Sequence, residues 1–255
     1  MLYKIYKKFK ENYHNDLHIL RTKFRFFNNH HIQNSWENSP VNLKNFEFQN
    51  WFDSSNDLIS VKKQSKIDFK YRIMKDISCK KINSCEIGFG GGRLLANSAK
   101  IFKKAYGIDI HKNFNQTKSF LNRQNLNNYE LLHFNDRNKL PKIDFFYSFI
   151  VIQHFEKLTI LEEYLKLIRS KLKHDGVAVL WYAKLVTKLW GYYHEIPFNK
   201  FRKRECSLYI HPEKMEKIVK NNGFNIIKHE LFHYKDVINK KGHSDQARIT
   251  FKIQS

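Results

Sequence analysis

The sequence has few of the residues that mark several large classes of protein. Only 4 of its 255 residues are proline and 9 are glycine, which excludes collagen-like and Pro/Gly-rich low-complexity chains. Its 3 cysteines, Cys79, Cys85 and Cys206, have no paired spacing, so we expect free thiols in a reducing, cytoplasmic compartment and no zinc site. No apolar run reaches the ~18 residues of a membrane span. The basic N-terminus also lacks the continuous apolar segment of a secretory signal.

Acidic residues are scarce relative to basic ones. The 24 Asp and Glu residues face 46 Lys and Arg residues, which gives a formal net charge of +22. Two explanations remain open. Lys is abundant together with Asn, Ile, Phe and Tyr, a combination that A/T-rich codons produce, but the charge could also reflect a preference for anionic partners. The low share of Arg, whose planar fork reads phosphates and bases, disfavours nucleic acid as the partner.

Hydrophobic periodicity divides the chain near residue 75. Apolar residues three or four positions apart predict a helix over residues 1–27, whereas residues 28–57 have an irregular pattern with scattered aromatics. We therefore expect an N-terminal helical extension or cap over residues 1–75 and a main domain over residues 76–255. The basic, amphipathic helix 1–27 is expected to dock on the main domain, with weak contact to an anionic membrane surface as the alternative.

Short apolar strands alternate with helices in the main domain. Strands are predicted at Ile82–Ile87, Ala105–Ile110, Tyr129–Phe134, Asp144–Val151, Val177–Tyr182, Phe224–Leu231 and Arg248–Ile253. Helices are predicted at Ile59–Ile77, Arg93–Phe102, Asn115–Gln124, Ile160–Leu172 and Pro212–Asn222, and a turn at Asp175–Gly176. This alternation predicts an α/β fold whose mostly parallel sheet is covered on both faces, with ligands bound at the carboxyl ends of its strands.

A glycine-rich turn follows the first of these strands. Glu86, Gly88, Gly90 and Gly92 form the pattern acid-x-Gly-x-Gly-x-Gly between a strand and a helix. Glycines there allow a sharp turn and let a ligand approach the backbone closely. The dinucleotide-binding pattern G-x-G-x-x-G fails at its third glycine, where the chain has Arg93.

Two aspartates end the second and third predicted strands. Asp109 lies 21 residues after Gly88, where a carboxylate can accept both hydroxyls of a ribose. Asp136 precedes Leu140-Pro141 by four residues, and Gln153-His154 follows the fourth strand. Each position alone is an ordinary turn position, but the ordered set is informative.

In this order the motifs resemble the class I S-adenosylmethionine (SAM)-dependent methyltransferases, especially their small-molecule branch, over roughly residues 75–255. The resemblance implies a Rossmann-like, doubly wound fold with seven strands and SAM as cofactor. It implies that SAM is bound by Glu86, Gly88, Gly90, Gly92, Asp109, Asp136 and Ser148. Within that set it implies that Asp109 meets the ribose and Asp136 the adenine amino group. Residues 172–176 are similar to the family's Leu-Lys-Pro-Gly-Gly turn.

The resemblance also implies methyl transfer to a small-molecule acceptor, which could be acidic, sugar-linked or lipid-linked, without a metal. His154 is the candidate general base, and the alternative is that it only shapes its loop. Residues 183–210, rich in aromatics and cations, are expected to form a substrate lid, with a hydrophobic plug as the alternative. Two other functions remain open: an RNA or protein methyltransferase, and a non-catalytic SAM-fold binding protein.

Overall fold

The computed structural model describes residues 13–23, 63–111, 114–197, 206–232 and 246–254 of the chain. The segment 28–57 lies outside the described residues, as does most of the predicted helix 1–27. The part of that helix that is described is α1, His14–Lys23. Residues 63–68 are helical as predicted and continue into a π-helical turn, Phe69–Ile73, in which Met74 N–H donates to the Phe69 carbonyl at 2.8 Å.

The remaining elements follow the predicted alternation. The further α-helices are α2 (Leu95–Ala99), α3 (Asn115–Asn122), α4 (Leu158–Lys171) and α5 (Pro212–Asn221). The strands are β1 (Asn83–Ile87), β2 (Lys104–Asp109), β3 (Tyr129–His133), β4 (Ile143–Ser148), β5 (Leu172–Lys184), β6 (Tyr193–Glu195), β7 (Leu208–Ile210), β8 (Phe224–Leu231) and β9 (Gln246–Ile253). Each of the seven predicted strands has a counterpart, with bounds that differ by only a few residues except in β5.

The chain divides into two compact units. The first, which we call the glycine-turn unit, comprises the described residues within 33–148 and 171–178. Its strands have the order β3-β2-β1-β4-β5, and β1 pairs in parallel with β2 and β4, as β2 does with β3. The order reverses between β1 and β4, which places the carboxyl ends of β1, β2 and β4 around the point where such sheets bind ligands.

The second unit, which we call the C-terminal unit, comprises the described residues within 1–32, 149–170 and 179–255. Its strand order is β5-β7-β6, and β9 pairs with both β5 and β8. β5 pairs with β7 in parallel, while β6 with β7 and β8 with β9 are antiparallel. Mixed α/β architecture with a mostly parallel central sheet confirms the predicted fold class, and the described residues form nine strands instead of seven.

Burial explains why β4 has an almost continuous apolar sequence. All six of its residues, Ile143–Ser148, are buried, as expected for a parallel strand with both faces covered. One core cluster includes Phe89 of the glycine-rich turn and consists of apolar side chains from the turn, α2, α3 and β2: Phe89, Leu95, Ala96, Ala99, Ala105, Phe120 and Leu121. Since α2 is only five residues long, packing of this kind has to stabilise it more than helix propensity does.

One predicted turn is wrong. Asp175-Gly176 lies inside the continuous strand β5. A Cβ on Gly176 would lie 2.6 Å from Leu172 Cδ1 and 3.1 Å from the Asp144 carbonyl oxygen, so the glycine permits close packing in extended backbone. Lys173 Nζ also donates to buried Asp144 at 2.8 Å, which fastens the start of β5 to β4. An Asp-Gly pair favours a turn through its local backbone preferences, and contacts with a neighbouring strand can override that preference.

Candidate functional site

The glycine-rich turn joins β1 to α2 at the carboxyl edge of the sheet. Gly88, Gly90 and Gly92 have φ angles of +75°, +48° and +83°, which non-glycine residues rarely adopt. Gly88 N–H donates to the Ile108 carbonyl at 2.7 Å, and Gly92 N–H donates to the Phe89 carbonyl at 2.8 Å. The turn is therefore fixed to the end of β2 and closed by its own backbone.

Gly90 and Gly92 have different surroundings. A Cβ built on Gly90 meets no described atom within 4 Å, whereas a Cβ on Gly92 would lie 2.9 Å from Thr117 Cγ2. The Gly90 carbonyl accepts a hydrogen bond from the Thr117 hydroxyl at 2.7 Å, and His111 Nε2 lies 3.3 Å from the same oxygen. The backbone at Gly90 is thus held from one side by α3 and the end of β2, and open on the side where its side chain would project.

Asp109 ends β2 beside this open position. Its Oδ2 accepts the Gly90 N–H at 2.8 Å, and its Oδ1 accepts the Ile110 N–H at 2.7 Å. The side chain is 13% exposed, and His111 Nε2 is 3.8 Å from Oδ2. Oδ1 also accepts the more distant His111 N–H at 3.4 Å. A carboxylate oxygen has two lone pairs, so Oδ2, which accepts a single N–H group, retains acceptor capacity for a ligand hydroxyl. The backbone donors fix the carboxylate in place before a ligand arrives.

Glu86 lies in β1 and is buried. Its Oε2 accepts the hydroxyl of Tyr147, the residue directly opposite it in β4, at 3.1 Å. Burial raises the pKa of the Glu86 carboxyl well above its ordinary value, although the Arg93 charge and hydrogen bonds from Tyr147 and the Leu95 backbone oppose that shift. These partners lie on β4 and at the start of α2. The structure therefore places Glu86 where it joins the sheet to the helix after the turn.

A buried ion cluster, which sequence reasoning missed, supports the same turn. The Asp68 carboxylate accepts Arg72 Nη1 at 2.6 Å and Arg93 Nη1 at 2.7 Å, and Gln64 Nε2 donates to it at 2.8 Å. Arg93 is the residue directly after Gly92. The cluster thus ties the helical segment 63–73 to the glycine-rich turn. Asp68 and Arg72 have helical i,i+4 spacing, which is a detectable signal, but nothing local indicates the bond to Arg93.

Ser148 and Asp136 have surroundings unlike those of Asp109. Ser148 ends β4 and is fully buried. Its hydroxyl donates a hydrogen bond to the Ile87 carbonyl at 3.2 Å, so it links β4 to β1.

Asp136 lies in the 3₁₀ helix Phe134–Lys139 after β3, with a side chain that is 45% exposed. Its carboxylate pairs with Lys139 at 2.7 Å, and this hydrogen bond lowers the pKa of Asp136.

His154 belongs to the C-terminal unit, at the end of the 3₁₀ helix Ile152–His154. Its Nε2 lies 3.1 Å from Gln153 Nε2, and the Gln153 side chain also bonds Gln246. The Gln153 carbonyl accepts the Ser207 N–H at 2.6 Å. The Gln-His pair is thus fixed to β9 and to the segment before β7. Within the described residues, no group of three or more His, Cys, Asp or Glu side chains could hold a metal ion.

The comparisons with known proteins identify the family. A sequence model described as a methyltransferase domain matches residues 62–229, which include the glycine-rich turn, Asp109 and His154. The chain belongs to this methyltransferase family. It is a SAM-dependent methyltransferase, and SAM is its cofactor. A search of curated protein sequences gave no significant match.

Solved structures agree with the fold. The chain is similar to a SAM-dependent methyltransferase from Clostridium acetobutylicum ATCC 824, with 14% identity, a TM-score of 0.57, and coverage of 82% of this chain and 97% of that one. The PH0226 protein from Pyrococcus horikoshii OT3 gives 18% identity, a TM-score of 0.59 and the same coverages. The mitomycin 7-O-methyltransferase MmcR gives 11% identity and a TM-score of 0.55, with coverage of 88% of this chain and 65% of that one.

Two features of the described residues fit this cofactor. The space beside Gly90 leaves room for a ligand to contact the backbone of the turn. The Asp109 carboxylate beside it can accept hydroxyl groups, which the ribose of SAM carries. Glu86 and Ser148 differ from Asp109, because both side chains are buried and hydrogen-bonded to a neighbouring strand.

Proposed function

We propose that this protein transfers the methyl group of SAM to a small-molecule acceptor, and that the glycine-rich turn and Asp109 hold the cofactor. The observation that carries the proposal is the open position at Gly90 directly beside the fixed carboxylate of Asp109. We further propose that Glu86 and Ser148 act on the cofactor indirectly, by joining β1 to its neighbours. Asp136 remains the proposed partner of the adenine amino group.

SAM, when bound, supplies a methyl group that a positively charged sulfur makes electrophilic. The chain then has to bind the cofactor, align it with the acceptor and exclude water. Asp109 orients the cofactor through its ribose hydroxyls, and its own backbone partners keep the carboxylate from moving. The Asp68–Arg93 ion pair holds the helix end of the turn in the same way.

The acceptor class is proposed on two grounds. The name of mitomycin 7-O-methyltransferase describes methylation of a small molecule, and that protein shares this fold. The net charge of +22 favours an acceptor that carries negative charge, because a cationic surface raises the local concentration of anions. A cytoplasmic location is part of the proposal. It is supported by the three cysteines, Cys79, Cys85 and Cys206, which form no disulfide with one another.

The cofactor assignment is tested by calorimetric titration of SAM into the Asp109→Ala protein. Loss of the charged acceptor should weaken binding by about 1–3 kcal/mol, which corresponds to about a tenfold or greater rise in Kd. Asp175→Ala is a suitable control, because Asp175 is an exposed aspartate paired with Lys80 on the same unit. Unchanged SAM affinity in a folded Asp109→Ala protein contradicts the assignment, and binding of NAD in place of SAM supports a dinucleotide site.

We propose His154 as the general base for an acceptor whose nucleophile carries a proton. His154→Ala should then lower the turnover of an identified acceptor far more than it lowers SAM affinity, and flatten the acid limb of the pH–rate profile. His174→Ala, which removes an exposed histidine from β5, is the control. If the His154 variant has normal turnover at every pH, His154 is not the general base and only shapes its loop.

A further inference from the structure

The loop between β5 and β6 exposes large apolar side chains. Leu189 is 75% exposed, and Tyr192 and Tyr193 are 49% and 41% exposed. They lie in the sequence Lys-Leu-Trp-Gly-Tyr-Tyr, residues 188–193. Exposed apolar side chains that lie next to one another are more often part of an interaction surface than isolated exposed ones are.

Hydrogen bonds hold this loop in shape. Gly191 N–H donates to the Lys188 carbonyl at 2.9 Å, which closes a turn at the loop tip. Leu189 N–H donates to the Thr187 hydroxyl oxygen at 3.3 Å, and that hydroxyl donates to Asp16 Oδ1 of α1 at 2.6 Å. Leu189 is therefore presented to solvent by a turn fixed to α1, within the C-terminal unit.

Lysines surround the aromatic side chains. Lys23 Nζ lies 4.3 Å from the centroid of the Trp190 ring, Lys188 Nζ lies 4.9 Å from that of Tyr192, and Lys214 Nζ lies 5.6 Å from that of Tyr193. These contacts show that α1, the loop and α5 contribute to one continuous surface. We call it the Leu189 surface: Lys23, Lys188, Leu189, Trp190, Tyr192, Tyr193, Lys214 and Lys217.

The acidic residues beside the Leu189 surface are already engaged. Glu213 pairs with Lys188 at 2.8 Å, which raises the pKa of Lys188 and lowers that of Glu213. Glu195 Oε1 accepts the Leu158 N–H at the start of α4 at 2.7 Å. Within the described part of the chain, no carboxylate pairs with Lys214 or Lys217. The surface therefore carries positive charge that its own acids do not neutralise.

An open depression of about 830 Å³ lies beside the loop. It is lined by residues 191–195 and by Glu213, Lys214 and Lys217. Lys214 and Lys217 are three residues apart on α5, so they are neighbours on one side of the helix. A phosphate group that enters the depression would meet these two ammonium groups together with the tyrosine rings.

We propose that the Leu189 surface docks the protein on an anionic lipid bilayer. Leu189 enters the boundary of the acyl chains, Tyr192 and Tyr193 lie at the level of the headgroups, and the lysines contact lipid phosphates. Aromatic side chains with a polar end prefer this interface, and lysines near it are attracted to anionic lipids. The inference does not depend on the identity of the methyl acceptor.

The test is cosedimentation of the full-length protein with phosphatidylcholine vesicles, with and without phosphatidylserine, at about 0.15 M salt. We expect binding to the anionic vesicles and little to the neutral ones. Leu189→Glu, and separately Lys214→Glu with Lys217→Glu, should each raise the lipid concentration for half-maximal binding at least about tenfold. The urea midpoint of each variant shows whether it folds.

Matched controls lie on other parts of the molecule. Ile227→Glu introduces the same charge at an apolar side chain that is 53% exposed in β8, and Lys118→Glu reverses an exposed lysine of α3. Both controls should bind vesicles as the unchanged protein does.

The proposal is overturned if the unchanged protein does not sediment with anionic vesicles, or if the controls lose as much binding as the Leu189-surface variants. It is equally overturned if Leu189→Glu leaves vesicle binding unchanged and instead converts a dimer of this chain to a monomer in equilibrium sedimentation. That result would make the surface an interface between two copies of the chain.

Discussion

Asp109, at the end of β2, and Glu86, in β1, are two carboxylates near the glycine-rich turn with opposite surroundings. Asp109 is partly exposed and accepts backbone N–H groups, whereas Glu86 is buried against Tyr147. The family resemblance implies that both contact the cofactor, because a motif records position and not burial. The neighbours that decide their surroundings come from other strands, such as Tyr147, 61 residues from Glu86.

The raised pKa of Glu86 predicts an unusual dependence of stability on pH. Between its ordinary value of 4.5 and its folded value, the folded carboxyl keeps a proton that the unfolded chain has released. The free energy of unfolding should therefore fall as pH rises through this window. Glu86→Gln cannot titrate and should lack that decline, since its amide can still bond Tyr147 and the Leu95 backbone.

Urea unfolding of both proteins between about pH 5 and pH 8 checks this prediction. We expect the stability of Glu86→Gln to improve relative to the unchanged protein as pH rises. Parallel curves, or a relative loss of stability by the variant with rising pH, would show that the buried carboxyl is not the titrating group.

At the scale of elements, the Asp68 carboxylate links segment 63–73 to the glycine-rich turn. Asp68 is buried and binds both Arg72 and Arg93. Asp68→Ala leaves the largely buried guanidinium of Arg72 without this partner, and loss of one member of a buried pair costs about 3–5 kcal/mol. We therefore expect a large decrease in the urea midpoint and, because Arg93 follows Gly92, weaker SAM binding.

The control for Asp68→Ala is Asp175→Ala. Asp175 also forms an ion pair, with Lys80, but both side chains are more than half exposed, so its loss should leave the midpoint nearly unchanged. Equal midpoints for the two variants would mean that the Asp68 cluster does not fasten the segment to the turn.

The element boundaries show where sequence patterns succeed and fail. Strand β8 was predicted with both ends correct, Phe224–Leu231, because Gly223 precedes it and its apolar residues are clear. Strands β6 and β7 have three residues each, too few for periodicity to reveal. The Asp175-Gly176 turn failed because packing against β4 overrides the local preference for a turn.

For the whole molecule, the alternation of strands and helices was enough to predict the fold class, and the resemblance of the ordered motifs predicted the family. The order of motifs along the chain also predicted which edge of the sheet bears the site, since parallel strands bring their carboxyl ends together. The ion cluster at Asp68 could not be predicted, because it joins residues 25 positions apart. The boundary at residue 75 and the roles of the seven cofactor residues and His154 stay predictions.

In the described part of the chain, no helix is both long and apolar enough to cross a membrane. The bilayer contact proposed above concerns the Leu189 surface. This possibility and the cofactor site concern different units of the protein. Each can be tested without the other, so failure of one leaves the other intact.

Calorimetric titration of SAM into the Gly90→Ala protein tests the central claim most directly. The left-handed backbone at Gly90 should cost alanine about 1–2 kcal/mol in folding, but no described atom blocks the added methyl group. Gly191→Ala is the matched control, with a left-handed φ of +83° and its nearest atom at an ordinary 3.8 Å. If SAM occupies the space beside Gly90, the Gly90 variant should fold and bind SAM at least about tenfold more weakly than the Gly191 variant. Equal SAM affinity of the two folded variants would contradict the placement of the cofactor at this turn.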